Sequence, residues 1–173
     1  MKPDYTQIVE GCRRGDRRSQ RALYDAMAPM ALGICLRYSK SRTVAQDLMQ
    51  DGFVSVFENI KRLKEPESLG PWVYRLMVNR CINYCRREAQ PLLLDVADQQ
   101  FVSLPLDPFS TQEVIAALQR IGPQQRLVFN MIEVEGYSRE EVAAHLGCTE
   151  EAVRSNLSRA KDALRKILTH SKP

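Results

Sequence analysis

Residues 136–166 read GYSREEVAAHLGCTEEAVRSNLSRAKDALRK, and this stretch decides the fold of the C-terminal part of the chain. Ser138 and Glu141 have the spacing of a capping box, which predicts a short helix that begins just after the serine. Gly147 suits a tight turn after that helix, because glycine tolerates a positive φ angle. Thr149 can cap a second, longer helix. The pattern predicts a helix-turn-helix, a common reader of duplex DNA.

The second of these predicted helices has an apolar face and a polar face. The residues at helical spacing that should point inward are Val153, Leu157, Ala160 and Leu164. Arginine can pair with guanine, serine can contact base edges or phosphates, and lysine suits phosphates. One alternative is a helical hairpin with a solvated basic face. We predict a DNA site on the outer face, at Arg154, Ser155, Ser158, Arg159 and Lys161.

The composition fits a soluble globular protein. The chain has 173 residues, of which 44% are hydrophobic and 27% charged, and its net charge is only +4. That length suits one ordinary domain or two small ones. No apolar run approaches the roughly 20 residues that span a bilayer, and the N-terminus lacks the apolar core of a signal peptide. We expect no membrane insertion and a cytoplasmic location.

Five scattered cysteines argue for reduced thiols rather than disulfides. Two pairs, His145 with Cys148 and Cys81 with Cys85, have spacings that could each supply two zinc ligands. The two pairs lie in different predicted domains, so we predict no metal site and no cofactor. The chain also lacks a glycine-rich phosphate loop and a nucleophile-base signature, so no enzymatic activity is expected.

Helix signals dominate the whole chain, which predicts an all-α fold. Apolar residues recur at helical spacing over 4–39, 43–60 and 71–88. Pro29 should divide the first of these stretches into two helices. Ser110 and Glu113 form a second capping-box pattern.

The composition of residues 89–110, AQPLLLDVADQQFVSLPLDPFS, differs from that of the rest of the chain. They hold three prolines and three aspartates and no basic residue, which indicates a linker. We therefore predict two small helical domains joined by a flexible linker. The predicted limits are 1–89 for the first domain, 90–111 for the linker and 112–173 for the second domain.

The predicted helix over 44–60 carries acidic residues away from its apolar stripe. Asp47, Asp51 and Glu58 share a face at helical spacing, and the segment has no basic residue. Such a face should repel DNA and attract a basic or polar protein surface. The alternative is an ordinary solvated acidic face.

The predicted helix over 71–88 has the opposite charge. Its polar stripe consists of Arg75, Asn79, Asn83, Arg86 and Arg87. Asparagine can pair with base edges and arginine can hold phosphates. Three aromatic residues of the segment could stack on single-stranded DNA or belong to the core: Trp72, Tyr74 and Tyr84.

Two long segments together resemble a known family. AQDLMQDGFVSVFENI followed by PWVYRLMVNRCINYCRRE resembles region two of bacterial sigma factors of the extracytoplasmic-function group. IGPQQRLVFNMIEVEGYSREEVAAHLGCTEEAVRSNLSRAKDALRKIL is similar to region four of the same group. The resemblance implies a protein that binds core RNA polymerase and directs it to promoter DNA. It also implies an anti-sigma factor as a further partner.

The resemblance implies roles for individual residues. The segment that docks on the clamp helices of the polymerase corresponds to Asp47, Gln50, Asp51 and Phe53. Asn79 and Asn83 match positions that face the partly single-stranded minus-ten element. Residues 61–70 match the loop that captures a flipped base, and 90–111 match a segment that threads toward the RNA exit path. The residues that read the minus-thirty-five element as duplex correspond to Arg154, Ser155, Ser158 and Arg159.

The sequence departs from the family pattern near the flipped-base loop. Pro71 replaces a residue that is usually small or polar, and Met77 and Cys81 are bulkier than the alanines often found there. Two other functions are compatible with parts of this pattern. One is a freestanding helix-turn-helix regulator, and the other is a helical adaptor that binds no DNA.

Overall fold

The fold was analysed in a computed structural model that describes residues 5–89 and 110–170. These residues form α-helices and short 3₁₀ and π turns and contain no strand, which confirms the all-α prediction. The α-helices are α1 (Thr6–Arg13), α2 (Arg17–Tyr38), α3 (Arg42–Asn59), α4 (Leu69–Ala89), α5 (Thr111–Arg120), α6 (Pro123–Phe129), α7 (Arg139–Leu146) and α8 (Glu150–His170). Within the described residues, none of these helices has both the length and the apolar character that a membrane span requires.

The structure divides into two compact units. Unit 1 takes its residues from Met1–Leu36 and Ser41–Cys81, and unit 2 from Arg37–Lys40 and Ile82–Pro173. Residues 90–109, nearly all of the predicted linker, lie outside the described residues. The domain limits given above therefore stay predictions.

The first predicted helical stretch does divide into two helices, but not at Pro29. The division falls between α1 and α2, where Gly15 has a φ of 77°. Pro29 lies inside α2 on its exposed side. A proline there lacks the N–H that would bond to the carbonyl of Asp25, and at an exposed position water can hydrate that carbonyl instead.

Unit 1 is organised around α3, which the Ser41 side chain caps by accepting a hydrogen bond from Val44 N at 3.3 Å. Phe53 on α3 packs against Tyr24 of α2, with ring centroids 4.6 Å apart and ring planes tilted by 48°. A side chain at Gly52 would overlap the thioether of Met77 on α4, so the missing Cβ lets these two helices approach closely. The buried residues of α3 are Ala45, Leu48, Met49, Gly52, Phe53 and Val56.

Residues 61–70, predicted as a loop, are anchored at both ends. Two 3₁₀ turns lie along this segment, Ile60–Arg62 at its start and Pro66–Ser68 further along, and both turns contact α1. Leu63 and Leu69 are buried, and Arg13 of α1 donates a hydrogen bond to the carbonyl of Leu63. This segment therefore has a defined backbone.

Unit 2 is built around α8, which contacts α5, α6 and α7. The residues of α8 predicted to face inward are all buried, as is Leu168 one turn further on. The C-terminal three of these residues form one apolar cluster with α5 and its C-cap, whose buried members are Ala117, Leu118, Ile121, Ala160, Leu164 and Leu168.

The predicted helix caps of unit 2 are confirmed. Ser110 with Glu113, and Ser138 with Glu141, each form both hydrogen bonds of a capping box. Gly147 ends α7 with a φ of 66° in the left-handed region. The Thr149 hydroxyl accepts a hydrogen bond from Ala152 N at 3.2 Å at the start of α8. These short-range patterns could be predicted because each involves residues close together in the chain.

A π-helical turn, Asn130–Val134, follows α6, and nothing in the sequence pattern had indicated it. Asn130 lies buried in this turn and donates to the carbonyl of Arg126 at 2.9 Å. Arg126 itself is only 2% exposed. It donates to the carbonyls of Leu118 at 3.0 Å and Ile121 at 2.9 Å at the end of α5, and to that of Tyr38 at 3.2 Å in the same unit.

Replacing Arg126 with methionine should destabilise the protein strongly. The variant keeps the length of the side chain but leaves three buried carbonyls without their donor, and each such group costs about 1–3 kcal/mol. We expect the free energy of unfolding to fall by about 3 kcal/mol or more, measured by urea unfolding followed by circular dichroism. Arg120→Met, on the exposed side of α5, is the matched control and should change little. Equal stability of both variants would contradict the capping role.

The capping box of α7 should make stability depend on pH. Hydrogen bonds from the backbone and side chain of Ser138 lower the pKa of Glu141. A carboxylate with a lowered folded-state pKa contributes fully above its unfolded pKa, and the contribution is lost as pH falls through the folded pKa. In Glu141→Gln, unfolding free energy measured from neutral to acid pH should therefore fall less steeply. Glu140→Gln, which removes the neighbouring exposed carboxylate, should keep the wild-type slope.

Candidate nucleic-acid and protein interfaces

The acidic face predicted on α3 is on the surface of unit 1. Asp47, Gln50 and Asp51 are all exposed. Phe53, assigned with them to the docking segment, is only 3% exposed and packs between Tyr24 and Phe57. Phe53 thus supports the acidic face from behind, while the other three side chains are accessible to a partner.

One charge of this face is already paired within unit 1. Arg80 of α4 lies 3.3 Å from Asp51, and both side chains stay well exposed, at 43% and 64%. An exposed pair of this kind contributes little to stability, but it reduces the net negative charge of the face. The sequence pattern did not reveal this pairing, because the two residues lie on different helices.

The predicted polar stripe on α4 is exposed along the helix. Its members are Arg75, Asn79, Asn83, Arg86 and Arg87, and each is accessible to solvent. The aromatic residues offered as stacking faces, Trp72, Tyr74 and Tyr84, are half-buried. Each of these rings is therefore partly packed within the protein and partly accessible to a stacking partner.

A cleft of about 560 Å³ lies at the first turns of α4. Its lining is mostly apolar and comes from Met30, Gly70, Pro71, Tyr74 and Arg75. Pro71, the departure from the family pattern, is therefore part of the cleft wall. The end of the 61–70 segment adjoins this cleft through Gly70.

The predicted DNA-reading face of α8 is less exposed, and makes more contacts within the protein, than the sequence pattern indicated. Arg154 is exposed, whereas Ser155, Ser158 and Arg159 are half-buried. Lys161 forms an ion pair at 2.7 Å with Glu133 of the π turn. Arg154 is therefore the most accessible of the predicted DNA contacts on this helix.

Beside Arg154 lies a second group of charged residues, which the sequence pattern alone did not reveal. A polar cavity of about 100 Å³ at the start of α8 is lined by Arg139, Glu150, Glu151 and Arg154. Glu150 and Glu151 lie in the first turn of α8, where negative charge favours the positive end of the helix dipole. Glu151 and Arg154 are three residues apart, and this spacing places them on one face of a helix. The spacing could have identified this charged group from the sequence.

The cysteines and histidines considered as zinc ligands do not assemble into a site in the described part of the chain. Cys81 and Cys85 are buried. Burial raises the pKa of the Cys85 thiol to about 12, which disfavours the thiolate that binds metal. Among residues 5–89 and 110–170, no three His, Cys, Asp or Glu side chains are grouped to hold a metal ion.

Comparison with known proteins identifies both halves of the chain. The family model for Sigma-70 region 2 matches residues 23–90, and the model for Sigma-70 region 4 matches residues 111–164. The first match contains α3 and α4, and the second contains the helix-turn-helix. A freestanding helix-turn-helix regulator or an adaptor that binds no DNA would not be expected to match region 2.

Curated relatives agree over nearly the full length. The RNA polymerase sigma-H factor of Pseudomonas aeruginosa is 26% identical over 178 residues, covering 94% of this chain and 92% of the relative. The ECF RNA polymerase sigma-E factor of Haemophilus influenzae is 23% identical over 173 residues, covering 91% of each. A solved structure of CnrH in complex with the cytosolic domain of CnrY shows a similar fold. Its TM-score is 0.50 at 20% identity, over 98% of this chain and 100% of that chain.

The two family matches lie in the order that the resemblance implied, and the matches to the two relatives named above cover at least 91% of each relative. The chain therefore belongs to the sigma-70 family, as an RNA polymerase sigma factor of the extracytoplasmic-function group.

Proposed function

We propose that this sigma factor docks on core RNA polymerase through α3 and contacts two promoter elements through α4 and α8. The observation that carries the proposal is the opposite charge of neighbouring helices in the region 2 match. The exposed polar face of α3 is acidic, whereas that of α4 is rich in arginine and asparagine. One helix is suited to a protein partner and the next to nucleic acid.

Docking through α3 follows from its accessible side chains. Asp47, Gln50 and Asp51 present acceptors and negative charge, which favour a basic or polar surface. Phe53 fixes the position of α3 from the core rather than contacting the partner. The proposed docking residues are therefore the three exposed ones, Asp47, Gln50 and Asp51.

The face of α4 is suited to the downstream element in its opened form. Asn79 and Asn83 can pair with base edges, and Arg75, Arg86 and Arg87 can hold phosphates. The apolar cleft beside Arg75 has room for a planar base, and its Tyr74 wall can stack on it. A base that leaves the stack loses stacking energy, which such a cleft would partly restore.

The helix-turn-helix is suited to the upstream element as duplex. Its second helix, α8, has the place of a recognition helix, whose N-terminal residues usually contact bases. Arg154 lies in that part and is exposed. We assign base reading to Arg154 and supporting contacts to Ser155, Ser158, Arg159 and Lys161.

A protein regulator of the anti-sigma class is a further proposed partner. It would cover the surfaces around residues 47–58 and 138–166, which are the ones assigned to polymerase and DNA. The related CnrH was solved with the cytosolic domain of another protein, CnrY. We place the sigma factor itself in the cytoplasm, where polymerase and chromosome are available.

Transcription in vitro tests the proposed function directly. Purified core polymerase should initiate at specific promoters only when this protein is added. The protein alone should bind promoter duplex weakly. Tight duplex binding without polymerase would instead favour a freestanding regulator. The absence of both promoter-specific transcription and DNA binding would favour an adaptor.

Asp51→Arg should weaken binding to core polymerase. The change places positive charge where a basic or polar surface is expected, and juxtaposed like charges are costly at interfaces. We expect at least about a tenfold loss of affinity in a titration with purified core enzyme. Circular dichroism should show an intact fold, because position 51 is exposed.

Two control variants separate docking from the loss of an ion pair. Arg80→Ala removes the partner of Asp51 but keeps its carboxylate, so polymerase affinity should change little. Asp25→Arg reverses a carboxylate on α2 that is likewise exposed and paired with an arginine, Arg21 at 2.9 Å. Equal losses in Asp25→Arg and Asp51→Arg would argue against a specific role for α3.

Arg154→Ala should weaken recognition of the upstream element by about 1–3 kcal/mol, the range for a bidentate contact to guanine. The measurement is the salt-controlled affinity of polymerase holoenzyme for promoter DNA with a wild-type or substituted upstream element. Arg120→Ala, which removes an exposed arginine of α5, is the control for net charge. An unchanged footprint over the upstream element would contradict the assignment.

A further inference from the structure

The turn between α1 and α2 concentrates positive charge that neither proposed promoter contact uses. Residues 13–21 hold five arginines and one aspartate, so their net charge equals the +4 of the whole chain. Arg14, Arg17 and Arg18 are exposed, and within the described residues none of the three forms an ion pair. These cations are therefore available to an anionic partner.

The backbone of this turn has a defined geometry. Asp16 caps α2, because its carboxylate accepts hydrogen bonds from the Ser19 N–H at 2.9 Å and from the Ser19 hydroxyl at 2.6 Å. A Cβ at Gly11 would overlap the Ser19 side chain, so the glycine lets α1 and α2 approach closely here. The carboxylate of the stretch is thus engaged in the cap, and the arginines extend from a fixed turn.

A second basic stretch, residues 61–64, lies beside the turn. Arg13 at the end of α1 donates a hydrogen bond to the carbonyl of Leu63, which brings this stretch next to Arg14. Its cations are exposed, and in the part of the chain that the structure describes they form no ion pair either. The two groups together are called the basic surface, which consists of Arg14, Arg17, Arg18, Lys61, Arg62 and Lys64.

Nearby acidic residues reduce this positive charge only in part. Glu65 and Glu67 are exposed and follow the cations of the 61–64 stretch, so that segment alone is only weakly positive. Glu10 is paired with Arg13. The arginines of the α1–α2 turn therefore supply most of the excess charge of the basic surface.

The chemistry of the basic surface favours a phosphate backbone over a protein partner. Protein interfaces depend on apolar or aromatic anchors at their centre. Among residues 5–89 and 110–170, the large apolar side chains that are well exposed are Val54 on α3 and Val134 in the π turn, and neither belongs to the elements that carry the basic surface. A phosphate backbone needs only positive charge and hydrogen-bond donors, which arginine and lysine supply.

The basic surface and the apolar cleft adjoin opposite ends of one segment. Leu63 is held against α1 near the start of the 61–70 segment, and Gly70 lines the cleft at its end. The chain from 63 to 70 can span at most about 25 Å, and the 3₁₀ turn within it shortens that span. A DNA strand with one base in the cleft can therefore reach the basic surface within a few nucleotides.

We propose that the basic surface binds the phosphates of the single DNA strand that continues downstream from the minus-ten element. The strand is the non-template one, because the polymerase needs the template strand for copying. It lies downstream, because the upstream element is bound as duplex. This inference rests on the proposed function, in which a base of the opened strand enters the cleft. Contacts with phosphates carry no base preference, and they weaken as the salt concentration rises.

The experiment compares two forked promoter templates that bind the holoenzyme of core polymerase and full-length protein. In one template the non-template strand ends at the downstream edge of the minus-ten element. In the other it continues by about ten nucleotides, a length within the range of single-strand sites. The measured quantity is the gain in affinity that the extension produces. For the wild type we expect a gain of about tenfold or more, which falls as salt is added.

The test variant combines Arg14→Gln, Arg17→Gln and Arg18→Gln, and all three positions are exposed, so circular dichroism should show an intact fold. It should lose most of the gain and bind the short template as the wild type does. On the extended template, the slope of log affinity against log salt should become shallower by about 2, since each phosphate contact of a single strand contributes about 0.7. Uncharged methylphosphonate linkages in the extension should remove the gain for the wild type.

The matched control combines Arg42→Gln, Arg120→Gln and Lys166→Gln, which removes the same charge from exposed positions outside the basic surface. It should keep the wild-type gain. If the test variant also keeps that gain, or if the wild type shows none, the inference is wrong and the proposed function stands. An equal loss on both templates, together with weaker binding to core polymerase, would overturn the inference in favour of a protein contact. If the wild-type holoenzyme does not distinguish a minus-ten element from unrelated sequence, the inference fails together with the proposed function.

Discussion

The helix α8 must bury one face while leaving the opposite face open to DNA, and unit 2 depends on that constraint. The first face is buried through Val153, Leu157, Ala160, Leu164 and Leu168, and α8 packs against α5, α6 and α7. Burial of such residues is the main favourable term in folding. The polar side chains that we propose to read DNA are therefore held in place by the same residues that stabilise the unit.

In unit 1, two helices rather than one combine a buried face with an exposed face that we assign to a partner. The proposed docking face is on α3 and the proposed nucleic-acid face on α4, and the two helices pack closely where Gly52 meets Met77. Phe53 fills the space behind the docking face. A change in this packing would move both proposed functional faces at once. The buried residues behind these faces therefore affect both proposed interactions, although they contact neither polymerase nor DNA.

The parts of the structure that follow from local chemistry could be predicted. The capping boxes at Ser110 and Ser138, the left-handed Gly147 and the buried stripe of α8 each depend on residues within a few turns. The place where the first helical stretch divides was predicted wrongly. Pro29 was expected to end a helix, but its exposure lets water replace the missing partner, and Gly15 provides the turn.

Features that depend on contacts between distant residues could not be read from the sequence. The ion pairs of Asp51 with Arg80 and of Lys161 with Glu133 join residues on separate elements. The π turn and the three hydrogen bonds of Arg126 likewise depend on the packed unit. For the candidate sites, periodicity predicted which faces are polar, and only the structure showed which charges are already paired.

The pair of Asp51 and Arg80 has a consequence for building hybrid sigma factors. One residue lies on the helix assigned to polymerase and the other on the helix assigned to the promoter, so exchanging either helix alone can remove this ion pair. A hybrid that takes α3 from one family member and α4 from another can leave either charge alone at the seam. Exchanging the two helices as a single block, with residues 51 and 80 kept from the same parent, preserves the match.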